Sequence, residues 1–276
     1  MDFFEFFKAF ILGVVEGITE WLPISSTGHM ILVDKFIELN VSDAFKEMFF
    51  VVIQLGAVLA VVVLYFDRLM PITIKKGIHL KEGVISIWLK IIVACIPAII
   101  VGVFFDDQMN ALFYNYQTVS IMLILFGIFF IIVENINNGK KPQVNSIAEI
   151  SYKMAVIIGM FQLIAAVFPG TSRSGATILG AILFGVSRTV ATEFTFFLAV
   201  PVMFGASLLK ILKFGFVFTA SEIIILAIGM VTAFVVSIIA IKFLTGYIKK
   251  HDFKLFGWYR IALGCIVLLY FMVWGG

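Results

Sequence analysis

Two short stretches of this chain place polar side chains that could do chemistry inside otherwise apolar segments. Residues 13–32 read GVVEGITEWLPISSTGHMIL, and residues 159–179 read GMFQLIAAVFPGTSRSGATIL. Each stretch has an apolar run, a proline (Pro23 or Pro169) and then a segment rich in hydroxyl groups and glycine. The first supplies carboxylates and an imidazole, whereas the second supplies an arginine and hydroxyl groups. Together they predict one site built from two halves.

The two stretches align without a gap as an internal repeat. This alignment pairs Gly13 with Gly159, Glu16 with Gln162, Pro23 with Pro169 and Ser26 with Ser172. Repeats of this kind are typical of transporter folds, in which the binding site lies where the two repeats meet.

Glu16 and Glu20 are four residues apart, so a helix brings both carboxylates to one face. The two carboxylates repel each other unless a cation or a proton lies between them. An ionised side chain in an apolar span costs about 2.5–3.5 kcal/mol on insertion scales, so such residues are rare without a role. We expect either a divalent-cation site or a general base tuned by its neighbour. The alternative is that both face a polar mouth near the membrane surface.

Hydroxyl groups and a histidine follow the first proline. Ser25 or Ser26 is a natural N-cap for the next helix, and capping alone accounts for one serine. His29 is expected to project into the same space about one turn later. A lone histidine on an apolar face is often structural, but two glutamates and a serine nearby favour a catalytic His29.

The second proline is followed by small residues and Arg173. A helix that opens with small residues leaves backbone N–H groups free, and its dipole adds positive potential, which favours an anion. Arg173 supplies a planar donor suited to phosphate oxygens, and Ser172, Ser174 and Thr177 add hydroxyl donors. The alternative is that Arg173 extends toward the lipid headgroups.

The combined halves provide what phosphoryl transfer requires: acid–base groups, phosphate ligands and a nucleophile. Ser26 is the candidate nucleophile, activated by His29 or Glu20, and direct attack by an activated water is the other route. The predicted catalytic residues are Glu20, Ser26, His29 and Arg173, and the predicted cation ligands are Glu16 and Glu20. The predicted phosphate-binding residues are Ser25, Thr27, Ser172, Arg173, Ser174 and Thr177.

Composition predicts an all-α polytopic membrane protein. Hydrophobic residues make up 62% of the chain and charged residues 13%, and the mean hydropathy is +1.12. Long apolar runs predict membrane spans near 45–66, 84–105, 117–136, 190–212, 222–247 and 256–274. The motif segments, 3–38 and 151–187, each predict two helical pieces joined at a proline. We expect these to be re-entrant hairpins, because broken helices need burial in protein or a cavity, and two full crossings are the alternative.

The expected architecture is one integral membrane domain, 1–276, with two repeats of a hairpin plus three spans. Repeat one covers about 1–138, the linker 139–150 and repeat two 151–276. Each hairpin contributes an even number of crossings, so three further spans give each repeat an odd number. The second repeat then enters the membrane from the opposite side, which is an inverted topology. Three basic loops then share one side, which the positive-inside rule makes cytoplasmic, with both termini outside. Their basic residues are Arg68, Lys75, Lys76 and Lys81; Lys140 and Lys141; and Lys249, Lys250 and Lys254.

These motifs resemble a known family. Residues 16–29, EGITEWLPISSTGH, resemble the first signature of the bacterial BacA/UppP undecaprenyl-diphosphatases, and residues 169–177, PGTSRSGAT, are similar to the second. The stretches 185–201 and 54–57 look like further family segments, so the resemblance covers essentially the whole chain.

The resemblance implies a membrane enzyme that removes the terminal phosphate of undecaprenyl diphosphate, so that the monophosphate re-enters carriage of cell-wall precursors. It also implies dependence on Mg²⁺ or Ca²⁺, a site open to the extracytoplasmic side of the plasma membrane, and bacitracin tolerance. The expected partners are a prenyl diphosphate lipid and the membrane, with no nucleic acid, and a homodimer is the assembly to test. The competing hypothesis is a flippase or transporter of a phosphorylated prenyl lipid, which needs an anion site but no nucleophile.

Overall fold

The structure is a computed structural model that describes residues 3–73 and 79–274. Most of them are helical. The helices are α1 Phe3–Thr19, α2 Ser26–Phe36, α3 Asp43–Leu64, α4 Phe66–Leu69, α5 Glu82–Phe104, α6 Asp106–Phe113, α7 Tyr116–Ile136, α8 Tyr152–Val167, α9 Arg173–Leu183, α10 Arg188–Phe214, α11 Ala220–Tyr247 and α12 Lys254–Trp274. A 3₁₀ turn covers Ile147–Glu149, and two-residue strands β1 Ile72–Thr73 and β2 His79–Leu80 pair antiparallel.

Six helices of the described ranges are long and apolar enough to cross a membrane: α3, α5, α7, α10, α11 and α12. Each observed helix boundary lies within two residues of the predicted span. The agreement arises because each helix begins and ends close to where its long apolar run begins and ends. The prediction of an all-α polytopic membrane protein is therefore confirmed.

Each motif segment forms two helices separated by a short tip. We call residues 20–25 the first tip and residues 168–172 the second tip. The helices that follow, α2 and α9, have 11 residues each. At 1.5 Å per residue they are about 16 Å long, which is shorter than the ~30 Å hydrocarbon core. Two pieces per segment were predicted; insertion of each hairpin from one side stays a prediction.

Ser25 and Ser172 are the two non-glycine residues with positive φ in the described part of the chain, at 73° and 69°. Each serine caps the helix that follows it: Ser25 Oγ accepts from Gly28 N at 3.3 Å, and Ser172 Oγ accepts from Gly175 N at 3.1 Å. These two serines are therefore structural counterparts. The gapless pairing of Ser26 with Ser172 is wrong by one residue, because the second tip has one more residue between proline and cap.

Helices of one predicted repeat pack against helices of the other. Helix α1 packs on α11 and α8 packs on α5, while α3 packs on α10 and α7 on α12. Two glycines permit equivalent close approaches: a Cβ on Gly13 would lie 2.7 Å from Gly229 O, and one on Gly159 would lie 2.4 Å from Ala94 O. Each hairpin thus packs on a span of the other repeat.

The inverted orientation and the repeat boundaries stay predictions. Two lysines of the orientation argument, Lys75 and Lys76, lie outside the described residues.

Candidate active site

Glu20 joins the two hairpins at the centre of the site. Ser26 Oγ donates a hydrogen bond to Glu20 Oε2 at 2.8 Å, and Arg173 Nη2 donates to Glu20 Oε1 at 2.7 Å. Glu20 lies directly after α1, Ser26 opens α2 and Arg173 opens α9. Residues that the sequence separates by more than 140 positions therefore form one continuous polar chain.

Arg173 is fixed by contacts on three sides. Besides Glu20, its Nη1 donates to Thr195 O at 3.0 Å, and its Cζ lies 5.9 Å from the centroid of the Trp21 ring. The side chain is only 13% exposed, so the guanidinium is directed into the protein rather than toward the headgroups. An arginine has five N–H donors, and these hydrogen bonds use two of them, which leaves donors for an anion.

Serines of the second tip and of α9 add a second connection. Ser174 Oγ donates to the backbone oxygen of Glu20 at 3.0 Å, and Ser172 Oγ lies 3.2 Å from Ser174 Oγ. The first amide groups of α2 and α9 precede the first intrahelical hydrogen bonds of each helix. Because both helices begin beside Glu20 and Arg173, two helix N-termini border the same site, which favours a bound anion.

His29 is held by partners other than Ser26. Its Nδ1 lies 2.7 Å from Ser25 O, and its Nε2 lies 2.7 Å from the hydroxyl of Tyr259. A carbonyl oxygen only accepts, so Nδ1 donates to Ser25; in a neutral imidazole Nε2 then accepts from Tyr259. Ser26 donates to Glu20 instead, so the geometry favours Glu20 over His29 as the group that activates Ser26.

Three other predicted phosphate ligands have different surroundings. Ser25 is buried as the cap of α2, and Thr177 is fully buried, with its hydroxyl bonded to Arg173 O at 2.9 Å and to Thr195 Oγ1 at 2.9 Å. Both side chains therefore support the backbone around the site. Thr27, by contrast, lines a cavity of about 140 Å³ together with Pro169 and residues of α5 and α8.

Glu16 lies one turn before Glu20 and is 1% exposed. Its Oε1 is buried without a hydrogen-bond partner among the described residues, and so are both amide atoms of Gln162, its counterpart in the repeat. Buried polar atoms without partners are rare and call for an explanation, such as a water or an ion. The cation site predicted at Glu16 and Glu20 stays a prediction.

Four residues of the site were not predicted from the sequence: Trp21, Thr195, Tyr259 and Arg260. Arg260 is fully buried in α12 and donates to Pro23 O at 3.3 Å and to Thr171 O at 2.7 Å, which are carbonyls of the two tips. The available signal was an arginine within an apolar span, where ionisable residues are expensive. Thr195 contributes a backbone oxygen, for which no side-chain pattern exists.

The fold and the site define a class: an α-helical membrane protein in which two broken-helix hairpins join an acidic tip and a basic helix start in one buried polar site. The sequence profile of the family described as Bacitracin resistance protein BacA matches residues 9–266. This chain belongs to that family.

Full-length relatives carry a consistent name. Undecaprenyl-diphosphatase 1 of Clostridium acetobutylicum is 68% identical over 273 residues, covering 99% of this chain and 100% of the relative. Undecaprenyl-diphosphatase of Desulfitobacterium hafniense is 69% identical over 271 residues, covering 98% of each chain. The Enterococcus faecalis protein of the same name is 58% identical over 271 residues, also covering 98% of each.

Proposed function

We propose that this protein hydrolyses undecaprenyl diphosphate to undecaprenyl phosphate and inorganic phosphate. The observation that carries this proposal is the polar chain Ser26–Glu20–Arg173 across the two hairpins. Glu20, the proposed base, accepts one hydrogen bond from Ser26, the proposed nucleophile, and another from Arg173, the proposed phosphate ligand. The names of full-length relatives point to the same reaction.

Ser26 is the nucleophile of this proposal and Glu20 is its base. Ser26 Oγ attacks the terminal phosphorus while its proton passes to Glu20 Oε2, 2.8 Å away. The bond between that phosphorus and the bridging oxygen breaks, and undecaprenyl phosphate leaves with the electron pair. Water then attacks the phosphoserine, inorganic phosphate departs, and a proton returns to Ser26 Oγ by way of Glu20. Attack by a Glu20-activated water is the alternative that trapping of a phosphoenzyme would test.

Arg173 and the starts of α2 and α9 bind the phosphate groups. The free donors of the guanidinium and the backbone N–H groups at the helix starts neutralise charge on the non-bridging oxygens. Because these donors are fixed before the substrate arrives, little reorganisation is needed as charge develops in the transition state. Thr27, which follows Ser26 in the chain and lines the cavity beside Pro169, is a further proposed phosphate ligand.

Mg²⁺ or Ca²⁺ is the proposed cofactor, and the residues present fit it in part. Glu16 offers a buried carboxylate oxygen without a partner, whereas both oxygens of Glu20 are engaged by Ser26 and Arg173. The described residues contain no group of three or more His, Cys, Asp or Glu side chains that could hold a metal. Glu16 and Glu20 would therefore hold the ion together with substrate oxygens, as is common for Mg²⁺. The bound ion would neutralise phosphate charge.

The proposed setting is the bacterial plasma membrane, with the site open to the extracytoplasmic side. The basic loops that the positive-inside rule assigns to the cytoplasm support this orientation. Hydrolysis there would return the lipid carrier to cell-wall synthesis and remove the diphosphate that bacitracin sequesters. A homodimer remains the assembly to test by native mass spectrometry.

Phosphate release from purified protein and a long-chain prenyl diphosphate tests this function. We expect release by the wild type that a chelator suppresses, and about a 10²–10⁴-fold loss in Ser26→Ala. Ser207→Ala is the matched control, because that buried serine bonds Val51 O on α3, away from the tips. No release from folded wild type, together with transfer of the lipid between leaflets of vesicles, would favour the flippase.

A further inference from the structure

We propose that Arg260 is a positioning residue that holds the two tips in register for phosphoryl transfer. This inference rests on the proposed function, since it concerns the same site. Arg260 lies on α12, which belongs to neither hairpin.

Arg260 connects the backbones of both tips. Its Nη1 donates to Pro23 O at 3.3 Å, and its Nη2 donates to Gly170 O at 3.0 Å and to Thr171 O at 2.7 Å. One rigid guanidinium therefore binds one carbonyl of the first tip and two of the second. A lysine ammonium is a single point donor on a flexible stem and cannot reproduce this fork.

The side chain is buried without a compensating acid. Arg260 is 0% exposed, and none of the ion pairs among the described residues includes it. In the part of the chain that the structure describes, its Nε has no hydrogen-bond partner, and its Cζ lies 5.9 Å from the Phe126 ring centroid. A buried charge is costly unless its surroundings stabilise it. Here the carbonyl dipoles of Pro23, Gly170 and Thr171 and the Phe126 ring surround the guanidinium.

Two glycines of the second hairpin lie in close contacts near this side chain. A Cβ on Gly175 would lie 2.9 Å from Arg260 Nη1, so a larger residue there would displace the end of the Arg260 side chain. Gly170 has φ of 90°, and a Cβ there would lie 2.5 Å from Val119 O. The neighbouring Tyr259 also bonds His29, so α12 contacts both the tips and the start of α2.

A positioning role predicts a specific kinetic defect. The three described hydrogen bonds of Arg260 go to backbone carbonyls, and Arg173 provides the guanidinium beside Glu20. Loss of Arg260 leaves the donors of α9 able to bind phosphate, but Ser26 and Glu20 are no longer held opposite them. We therefore expect kcat to fall while KM stays close to the wild-type value. A displacement of about 1 Å in such a site costs on the order of 100-fold in rate.

The experiment compares Arg260→Met, Arg260→Lys and Arg188→Lys in detergent or nanodiscs. Arg188 is the matched control, because it also joins helices by bonding buried Glu134, which accepts in turn from Phe253 N at the start of α12. We expect kcat per folded molecule to fall about 100-fold in Arg260→Met, with partial recovery in Arg260→Lys and wild-type values in Arg188→Lys. Binding of a non-hydrolysable prenyl diphosphonate should be unchanged in all three.

Hydrogen–deuterium exchange supplies a readout that does not depend on activity. Peptides covering 20–28 and 168–176 should exchange faster in Arg260→Met than in the wild type and in Arg188→Lys. Unchanged exchange, or a rise in KM at unchanged kcat, would overturn the positioning role. A folded wild type that releases no phosphate would instead refute the proposed function, and the exchange comparison would still decide whether Arg260 holds the tips.

Discussion

The two tips share a backbone design and differ in their chemistry. Ser25 and Ser172 both have positive φ, and both cap an 11-residue helix by accepting from a glycine N–H. Beside these equivalent caps, the first hairpin presents Glu20 and Ser26, whereas the second presents Arg173. The repeated backbone provides the geometry, and the diverged side chains provide the groups of the proposed reaction.

The contacts between the tips form only because the two copies are unlike. Arg173 pairs with Glu20, and Ser174 bonds the backbone oxygen of Glu20. Two copies of the acidic tip would place like charges together, and two copies of the basic helix start would leave the proposed phosphate site without its proposed base. The proposed site therefore requires that the two repeats differ.

The largest expected effect comes from removing the proposed base, Glu20, of the first tip. We expect Glu20→Gln to lower the rate of phosphate release by about 10²–10⁴-fold, because the amide keeps the shape but cannot take the Ser26 proton. Glu47→Gln is the control, since that exposed carboxylate pairs with Lys210 outside the tips. Full recovery of the Glu20→Gln rate on adding metal would show that this carboxylate is neither base nor essential ligand.

Most of the fold follows from run length and from the prolines. Apolar runs define the six spans, and Pro23 and Pro169 mark the breaks in the hairpins. The convergence of Glu20, Ser26 and Arg173 was also predicted, because a repeat whose polar residues differ indicates two halves of one site. The roles of individual site residues stay predictions.

The hydrogen bonds distinguish two candidate partners of Ser26 that the sequence left open. Glu20 and His29 both qualify as partner of Ser26, and only the hydrogen bonds separate them. The pairing of Ser26 with Ser172 failed because a one-residue insertion in a short tip is invisible to a gapless alignment. Arg260 belongs to no motif and acts through backbone carbonyls, which a side-chain pattern does not contain.

An intermediate effect is expected when the cation of the second hairpin is replaced. Arg173→Lys keeps the charge but loses the planar fork, so we expect KM to rise and kcat/KM to fall about 10–100-fold. Steady-state kinetics with a prenyl diphosphate measure this, with Arg188→Lys as the control at the Glu134 ion pair. A fall in kcat at unchanged KM would mean that Arg173 acts mainly on Glu20 rather than on phosphate.

The smallest effects test whether the tips are equivalent in their backbone. We expect Ser25→Ala and Ser172→Ala each to lower the free energy of unfolding by about 1 kcal/mol through loss of an N-cap. Glycine should be tolerated better than alanine at both positions, because it accepts positive φ without strain. Thermal unfolding in detergent measures both series.

Ser42 provides the control, since it caps α3 by accepting from Phe45 N but has φ of −64°. Glycine relieves no backbone strain there, so the advantage of glycine over alanine should be smaller at Ser42 than at Ser25 and Ser172. An equal advantage at all three serines would mean that the positive φ stores no strain. A large advantage at one tip alone would show that the two hairpins differ in backbone as well as in side chains.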